Sequence, residues 1–167
     1  GLGGSATNDA GVGLLQALGM RFLDAQGRDL APGGAALAEL DQLDLSGLDA
    51  RLLNVQIDVA ADVDNPLCGP RGASAVFGPQ KGATPDQVEE LERQLHALRA
   101  LAPFAELPGA GAAGGLGAAL ASLGGDLTPG ADAILEIIDF EARLGNADLV
   151  FTGEGTIDAT SLEGKIP

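Results

Sequence analysis

The stretch that decides the fold is RLLNVQIDVAADVDNPL, residues 51–67, in which an alternating segment leads into a group of acidic residues. Apolar and polar residues alternate from Leu53 to Val59, the period of a half-buried strand, and we predict a strand over 51–60. The carboxyl end of a strand is where α/β folds place metal ligands and bases, although solvated loop acids are the alternative. The candidate residues of this stretch are Asp58, Asp62, Asp64 and Asn65.

Helical patterns lie on both sides of this strand along the chain. The clearest covers 84–101, where Thr84 is the cap, Pro85 takes the first position and Gln87 completes a capping box. We predict further helices over 8–18, 34–43, 112–123 and 132–144, a hairpin over 20–30, and a buried strand over 147–151. Helices separated by short strands indicate an α/β fold with helices around a parallel or mixed sheet.

Composition narrows the classes of function. Nine basic against 24 acidic residues give a formal net charge of −15, which disfavours nucleic acids and anionic membrane surfaces as partners. A hydrophobic share of 46% is enough for a core, so the charge does not indicate disorder. The sequence shows neither a signal peptide nor an apolar run of membrane-spanning length, and we expect a cytoplasmic globular protein. An anionic substrate would need local cations, backbone N–H groups or a metal.

The opening segment GLGGSATND, residues 1–9, is a glycine-rich loop that enters a predicted helix. Such a junction offers unpaired backbone N–H groups and the positive end of the helix dipole to an anion. An ordinary capped helix start is the alternative, and the Gly-Lys-Ser/Thr of a P-loop is absent from the sequence. The candidate substrate- or phosphate-binding residues of this loop are Gly3, Gly4, Ser5, Thr7, Asn8 and Asp9.

Two later glycine-rich segments carry further candidates. Arg71 and Lys81 lie in residues 69–83, GPRGASAVFGPQKGA. Basic side chains among glycines suggest that the segment binds a phosphate or a carboxylate. The alternative for Lys81 is an ordinary surface lysine. Glu154 and Asp158 lie in TGEGTID, residues 152–158, directly after the predicted strand over 147–151, a placement that fits metal coordination. Lys165 follows Gly164 near the end of the sequence.

Two residues with ligating side chains are interpreted as structural. We expect His96 on the surface of the predicted helix over 84–101, beside charged neighbours. We expect Cys68 to be a small buried hydrophobic residue, because no histidine or second cysteine lies near it in sequence to activate the thiol.

Five motifs, in order, resemble the bacterial type I glycerate kinases. They are GGSATND (3–9), DVDNPL (62–67), GPRGASAVFGPQKGA (69–83), PGAGAAGG (108–115) and TGEG…D (152–158). The resemblance covers essentially the whole chain. It implies phosphorylation of D-glycerate by ATP with Mg²⁺, with 2-phosphoglycerate the favoured product. It also implies two α/β domains, of which residues 1–167 are the inserted one with active-site loops at both ends, the rest of the parent kinase being absent.

The same resemblance implies roles for the candidate residues. The loop over 3–9 would bind the glycerate carboxylate or the ATP phosphates, and Arg71, Lys81 and Lys165 would neutralise charge on glycerate or the γ-phosphate. Five acids would supply the catalytic base and the metal ligands, namely Asp58, Asp62, Asp64, Glu154 and Asp158. The metal ligands among them would be Asp62, Asp64 and Glu154. Which acid is the base, which loop binds ATP and whether the protein is a homodimer stay open. The alternatives are a non-catalytic small-anion or nucleotide-binding domain and a kinase for another small hydroxy acid.

Overall fold

A computed structural model of the chain describes residues 1–145, 147–151 and 153, in which helices and short strands alternate. The strands are β1 (Arg21–Leu23), β2 (Gln42–Asp44), β3 (Asp58–Ala61) and β4 (Asp126–Pro129). The α-helices are α1 (Val12–Ala17), α2 (Ala73–Phe77), α3 (Pro85–Ala97), α4 (Ala112–Ser122), α5 (Gly130–Ile137) and α6 (Phe140–Leu144). Short 3-10 helices cover Gly34–Glu39, Ala50–Asn54, Pro79–Lys81 and Arg99–Phe104. The predicted α/β class is confirmed.

The strands form two separate two-stranded sheets. Strands β3 and β4 pair in parallel, with Val59 opposite Leu127, and β1 pairs with β2 in antiparallel fashion. Leu2 extends the parallel sheet through a parallel bridge to Ala61, and its N–H donates to the Ala60 carbonyl oxygen at 2.8 Å. Three chain segments therefore run in the same direction side by side, and their carboxyl ends lie at one edge.

The predicted helix over 84–101 forms as α3 and begins as expected. Thr84 Oγ1 accepts the Gln87 N–H, and the Gln87 side chain accepts the Thr84 N–H, which completes the capping box. The helix ends at Ala97, and the chain continues as the 3-10 helix Arg99–Phe104, which contains Pro103. Leu95 on α3 and Leu98, directly after it, are both buried in the main core.

Small residues let the helices approach one another closely. A Cβ at Gly11, just before α1, would lie 2.6 Å from the Ala119 Cβ on α4, and one at Gly117 would lie 2.0 Å from the Gly109 carbonyl oxygen. Side chains larger than hydrogen therefore do not fit at these two positions. Helix α4 therefore packs through its Gly and Ala residues.

Two of the predicted elements over the first 60 residues are wrong in part. The segment predicted as a strand over 51–60 begins as the 3-10 helix Ala50–Asn54, because the Asp49 carboxylate accepts the Arg51 N–H and caps a helical turn. The predicted helix over 34–43 is 3-10 and ends at Glu39, because the following residues pair with β1 as strand β2. The predicted hairpin over 20–30 is present, with Leu30 N–H donating to the Phe22 carbonyl oxygen at 2.9 Å.

Two predictions in the last third of the chain are also wrong. The helix predicted over 132–144 is broken into α5 and α6 by Asp139, whose φ is 54°. The strand predicted over 147–151 is not formed, and Leu149, Val150 and Phe151 are exposed there, since no strand among the described residues pairs with this segment. In the part of the chain that the structure describes, no helix is long and apolar enough to cross a membrane.

Candidate active site

The loops that follow the three parallel segments meet at the carboxyl edge of the sheet, the edge at which α/β folds bind ligands. The loops after Leu2 and β3 line a cavity of about 190 Å³, which we call the small cavity. Residues predicted from the sequence as ligand-binding or catalytic line it, namely Gly3, Gly4, Ser5, Asp62 and Lys81. Residues more than 70 positions apart in sequence thus converge on one site.

Lys81 provides the positive charge of the small cavity. It ends the 3-10 helix Pro79–Lys81, and its Nζ donates to Ser5 Oγ at 3.0 Å and to the Thr7 carbonyl oxygen at 2.6 Å. Burial lowers the pKa of Lys81 from its ordinary value, and the negative charge of Asp9 partly offsets that effect. The Lys81 ammonium is therefore fixed to the glycine-rich first loop and does not extend freely into solvent.

Asp62 comes directly after β3 and faces the beginning of α5. A Cβ at Gly130, the first residue of α5, would lie 2.3 Å from Asp62 Oδ1, so glycine is needed there for the carboxylate to take this position. The amino-terminal end of a helix carries partial positive charge, which favours a carboxylate beside it. Asp62 lines the small cavity and also the larger one next to it.

The larger neighbouring cavity, which we call the polar cavity, has a volume of about 690 Å³. Asp62, Asp64, Asn65 and Arg71 line it, together with residues 127–130 at the end of β4. Arg71 Nη2 lies 2.7 Å from Asp64 Oδ1, and Asn65 Nδ2 donates to the Arg71 carbonyl oxygen at 2.8 Å. The structure thus brings Asp62, Asp64 and Asn65, three of the four candidates of the stretch 51–67, together with Arg71 of the next glycine-rich segment.

Asp9 and Asn8 have structural partners that the sequence did not indicate. The buried Asp9 carboxylate accepts the N–H groups of Gly11 at 3.0 Å and Gly13 at 3.2 Å, and Asn8 Nδ2 donates to Ser74 Oγ at 2.9 Å. The beginning of α1 is therefore capped by the chain's own carboxylate. The N–H groups of Gly11 and Gly13, which the sequence offered to an anion, are bound to Asp9 instead. Helix α1 begins at Val12, four residues later than predicted.

Thr7, Asn8 and Asp9 line a third cavity of about 750 Å³. Lys81 and residues 32–35 form other parts of its wall. Lys81 therefore lies between this cavity and the small cavity, with its ammonium held by Ser5 on one side. The first loop contributes its glycines to one cavity and its polar residues 7–9 to the other.

The glycine-rich residues at the start of α4 pack against the first loop. Ala113, Gly114 and Gly115 have φ values of 52°, 74° and 99°. A Cβ at Gly114 would lie 2.1 Å from the Thr7 carbonyl oxygen, the atom that accepts from Lys81. Ala112 and Ala113 line the small cavity, and sequence reasoning missed them as site residues although the motif over 108–115 pointed to this segment.

One predicted site residue that the structure describes, Asp58, is not brought to these cavities. Asp58 is exposed at the opposite end of β3, where it accepts from the Gln56 side chain at 2.9 Å. The rise of about 3.3 Å per residue along a strand separates it from Asp62 by about 13 Å. Glu154, Asp158 and Lys165 lie outside the residues that the structure describes.

The donor set of the polar cavity fits magnesium. Mg²⁺ is usually bound through one or two carboxylates, with substrate phosphates and water completing the oxygen ligands. Asp62 and Asp64 provide two carboxylates on one loop, both exposed to the polar cavity. Asp64 is also paired with Arg71, so its charge is partly compensated.

The fold and the site define an α/β protein whose polar loops gather at the carboxyl edge of a parallel sheet. Comparison with known proteins then identifies the family. The family model described as the Glycerate kinase family matches residues 1–167. The chain belongs to the glycerate kinase family.

Characterised relatives agree with this assignment. The chain is 53% identical over 174 aligned positions to a glycerate kinase of Bacillus subtilis and 47% identical to a glycerate 2-kinase of Escherichia coli. All of this chain and 46% of each relative are aligned, so the chain spans about half the length of these proteins. A crystal structure from Salmonella typhimurium LT2, provisionally assigned as glycerate kinase 2, superposes with a TM-score of 0.86 at 52% identity over 95% of this chain and 45% of that one.

Proposed function

We propose that the full-length protein transfers the γ-phosphoryl group of ATP to D-glycerate, with 2-phosphoglycerate as the favoured product. In this proposal residues 1–167 form the inserted α/β domain of a two-domain kinase. The observation that carries the proposal is the position of Asp62 between the small cavity and the polar cavity. In phosphoryl transfer the acceptor hydroxyl and the leaving phosphate lie on opposite sides of the transferred group, and charged side chains around that group stabilise the transition state.

The small cavity suits the acceptor. Its volume of about 190 Å³ lies below the roughly 300 Å³ at which pockets for drug-sized ligands begin, so it fits a three-carbon acid better than a nucleotide. The Lys81 ammonium would pair with the glycerate carboxylate, and the absence of a Cβ at Gly3 and Gly4 would let the ligand approach the backbone. A hydroxyl of bound glycerate would then lie beside the Asp62 carboxylate.

The polar cavity suits the phosphates of the donor. Arg71 would neutralise phosphate charge, and Asp64 holds its guanidinium in place at the cavity wall. Asp62 and Asp64 would hold Mg²⁺, which when bound supplies charge neutralisation for the transferred group. Glu154, Asp158 and Lys165 remain predictions from the sequence as further members of this site.

An assay that compares possible acceptors tests the proposal. The full-length protein is supplied with Mg²⁺ and ATP, and ADP release is followed with D-glycerate, L-glycerate, glycerol and tartronate in turn. We expect D-glycerate to give the highest kcat/KM, and phosphorus NMR to show the 2-phosphate. A higher kcat/KM with another hydroxy acid would favour the alternative kinase, and ligand binding without ADP release would favour a binding domain.

A further inference from the structure

A group of three ligating side chains lies apart from the cavities described above, where the loop after β3 meets α3. Cys68 Sγ, a carboxylate oxygen of Glu92 and a ring nitrogen of His96 all lie within 4.8 Å of one another. Glu92 and His96 are one helical turn apart on α3, and Glu92 Oε1 lies 3.6 Å from His96 Nε2. Among the described residues, this is the one group of three such side chains with its ligand atoms this close together.

One carboxylate oxygen of Glu92 is left without a partner in the described part of the chain. Glu92 Oε1 accepts the Gly69 N–H, whereas Oε2 is buried and has no hydrogen-bond partner among the described residues. A buried carboxylate oxygen without a partner is destabilising, and native proteins rarely leave one so. A cation at this position would satisfy it.

Cys68 is not a reactive thiol in its present surroundings. Burial raises its pKa to about 12, and the charges of Glu92 and Glu106 add to the effect. A thiol with so high a pKa is neutral and a poor nucleophile at neutral pH.

We propose that Cys68, Glu92 and His96 bind a divalent cation of the zinc type at a site separate from the proposed active site. Zinc takes sulfur, nitrogen and oxygen ligands at about 2.0–2.3 Å in tetrahedral geometry, which puts neighbouring ligand atoms about 3.4–3.6 Å apart. Glu92 Oε1 and His96 Nε2 are 3.6 Å apart, close to this spacing. Magnesium is a poor fit, because it prefers oxygen ligands alone.

The charge and proton balance of the site is complete. Zn²⁺ forms one bond to Cys68 sulfur, and the thiol proton leaves to the solvent. The thiolate, the Glu92 carboxylate and neutral His96 then carry two negative charges against the two positive charges of the ion. Water takes the fourth position, as in zinc sites with three protein ligands.

The consequence of occupancy is a link between α3 and the loop over 62–72. That loop carries Asp62, Asp64 and Arg71, and it contacts α3 through the hydrogen bond from the Gly69 N–H to Glu92. A bound ion would add a second connection, from Cys68 to the same helix. We therefore expect zinc to raise the melting temperature of the protein.

The test measures metal binding directly, in the full-length protein freed of metal with a chelator and without nucleotide. Co²⁺ is used as a spectroscopic probe and should give a sulfur-to-cobalt charge-transfer band together with the visible bands of tetrahedral coordination. Zn²⁺ affinity is measured by competition with a chromophoric chelator. We expect His96→Gln to weaken Zn²⁺ binding at least about tenfold, and Cys68→Ser to remove the charge-transfer band.

Glu89→Gln is the control, because it also places a glutamine at an exposed position of α3, outside the group. It should keep both the zinc affinity and the zinc-dependent rise in melting temperature, which His96→Gln should lose. His96 is exposed, so its substitution leaves the core intact even if Cys68→Ser fails to fold. Equal zinc affinities in wild type and His96→Gln, or a cobalt complex without a sulfur band, would overturn the proposal. Because no substrate is present, neither result depends on the proposed kinase activity.

Discussion

The Lys81 ammonium donates a 3.0 Å hydrogen bond to the Ser5 hydroxyl, although 76 residues separate the two along the chain. Ser5 belongs to the glycine-rich first loop and Lys81 to the 3-10 helix that precedes α3. The contact therefore joins two of the motifs that carry the family resemblance. It also fixes one of only nine cations, in a sequence with 24 acidic residues, at the edge of the small cavity.

Replacing this cation tests its role in binding glycerate. Lys81→Met keeps the length of the side chain and removes its charge, and hydrogen bonds to a charged group contribute about 1.5–3 kcal/mol. We expect D-glycerate to bind at least about tenfold more weakly, as measured by calorimetric titration of the full-length protein. Arg51→Met is the control, because it removes a positive charge that is paired with Asp49 away from the cavities. Equal affinity in Lys81→Met and wild type would contradict the assignment.

Asp62 is the second residue whose role can be tested by one substitution. Asp62→Asn keeps the shape of the side chain and removes its charge at the border of the two cavities. Loss of one well-placed electrostatic group typically lowers kcat by about a hundredfold or more, and we expect that here. Asp126→Asn makes the same change at the exposed opposite end of the parallel pair and should leave kcat near that of wild type. Near-normal turnover in Asp62→Asn would remove this residue from the mechanism.

The features that could be predicted from the sequence are those that depend on local chemistry. The capping box at Thr84 and Gln87 forms as expected, because both hydrogen bonds lie within one helical turn. The motif over 108–115 lies beside the first loop, where a Cβ at Gly114 would be 2.1 Å from the Thr7 carbonyl oxygen. The acids after β3 lie at the sheet edge because parallel strands place their carboxyl ends together.

The features that could not be predicted depend on contacts between distant residues. Cys68 is 24 residues before Glu92 and 28 before His96, so their proximity is set by the packing of a loop on α3. The capping of α1 by Asp9 depends on the left-handed turn at Ala10 and Gly11, which the sequence pattern did not indicate. Residues 149–151 are apolar but exposed, because a segment becomes a buried strand only where another strand pairs with it. The apolar character of the segment does not show whether such a partner exists.

The turn over 24–28 gives a prediction about pH. The buried Asp24 carboxylate accepts from the Arg28 N–H at 2.9 Å and Arg28 Nε at 2.7 Å, and these bonds lower the pKa of Asp24 below its ordinary value. The pKa of an aspartate in an unfolded chain is about 3.9, and a carboxyl whose pKa is lower in the folded protein stabilises the fold at any pH above that value. This contribution is lost as the pH falls through the pKa of the folded state. Asp24→Asn should therefore lower the melting temperature by several degrees at pH 7.

The difference in melting temperature between wild type and Asp24→Asn should then shrink when both are melted at pH 3. Asp41→Asn is the control, since its carboxylate is exposed next to β2. It should show a small effect at both values of pH. An Asp24→Asn effect that is as large at pH 3 as at pH 7 would show that the substitution acts through packing and not through the charge.

The last prediction separates backbone strain from cavity shape in the glycine-rich first loop. Gly4 and Gly27 both have positive φ, 60° and 76°, and an added Cβ would have no heavy atom within 4 Å at either position. Alanine in a left-handed conformation costs about 1–2 kcal/mol, so Gly4→Ala and Gly27→Ala should lower the melting temperature by similar amounts. Only Gly4 lines the small cavity, where a methyl group would take space from the ligand. One methyl group in such a site changes substrate discrimination by roughly tenfold or more, and we expect that rise in the KM for D-glycerate in Gly4→Ala alone. A KM that stays at the wild-type value in a folded Gly4→Ala protein would mean that glycerate binds elsewhere.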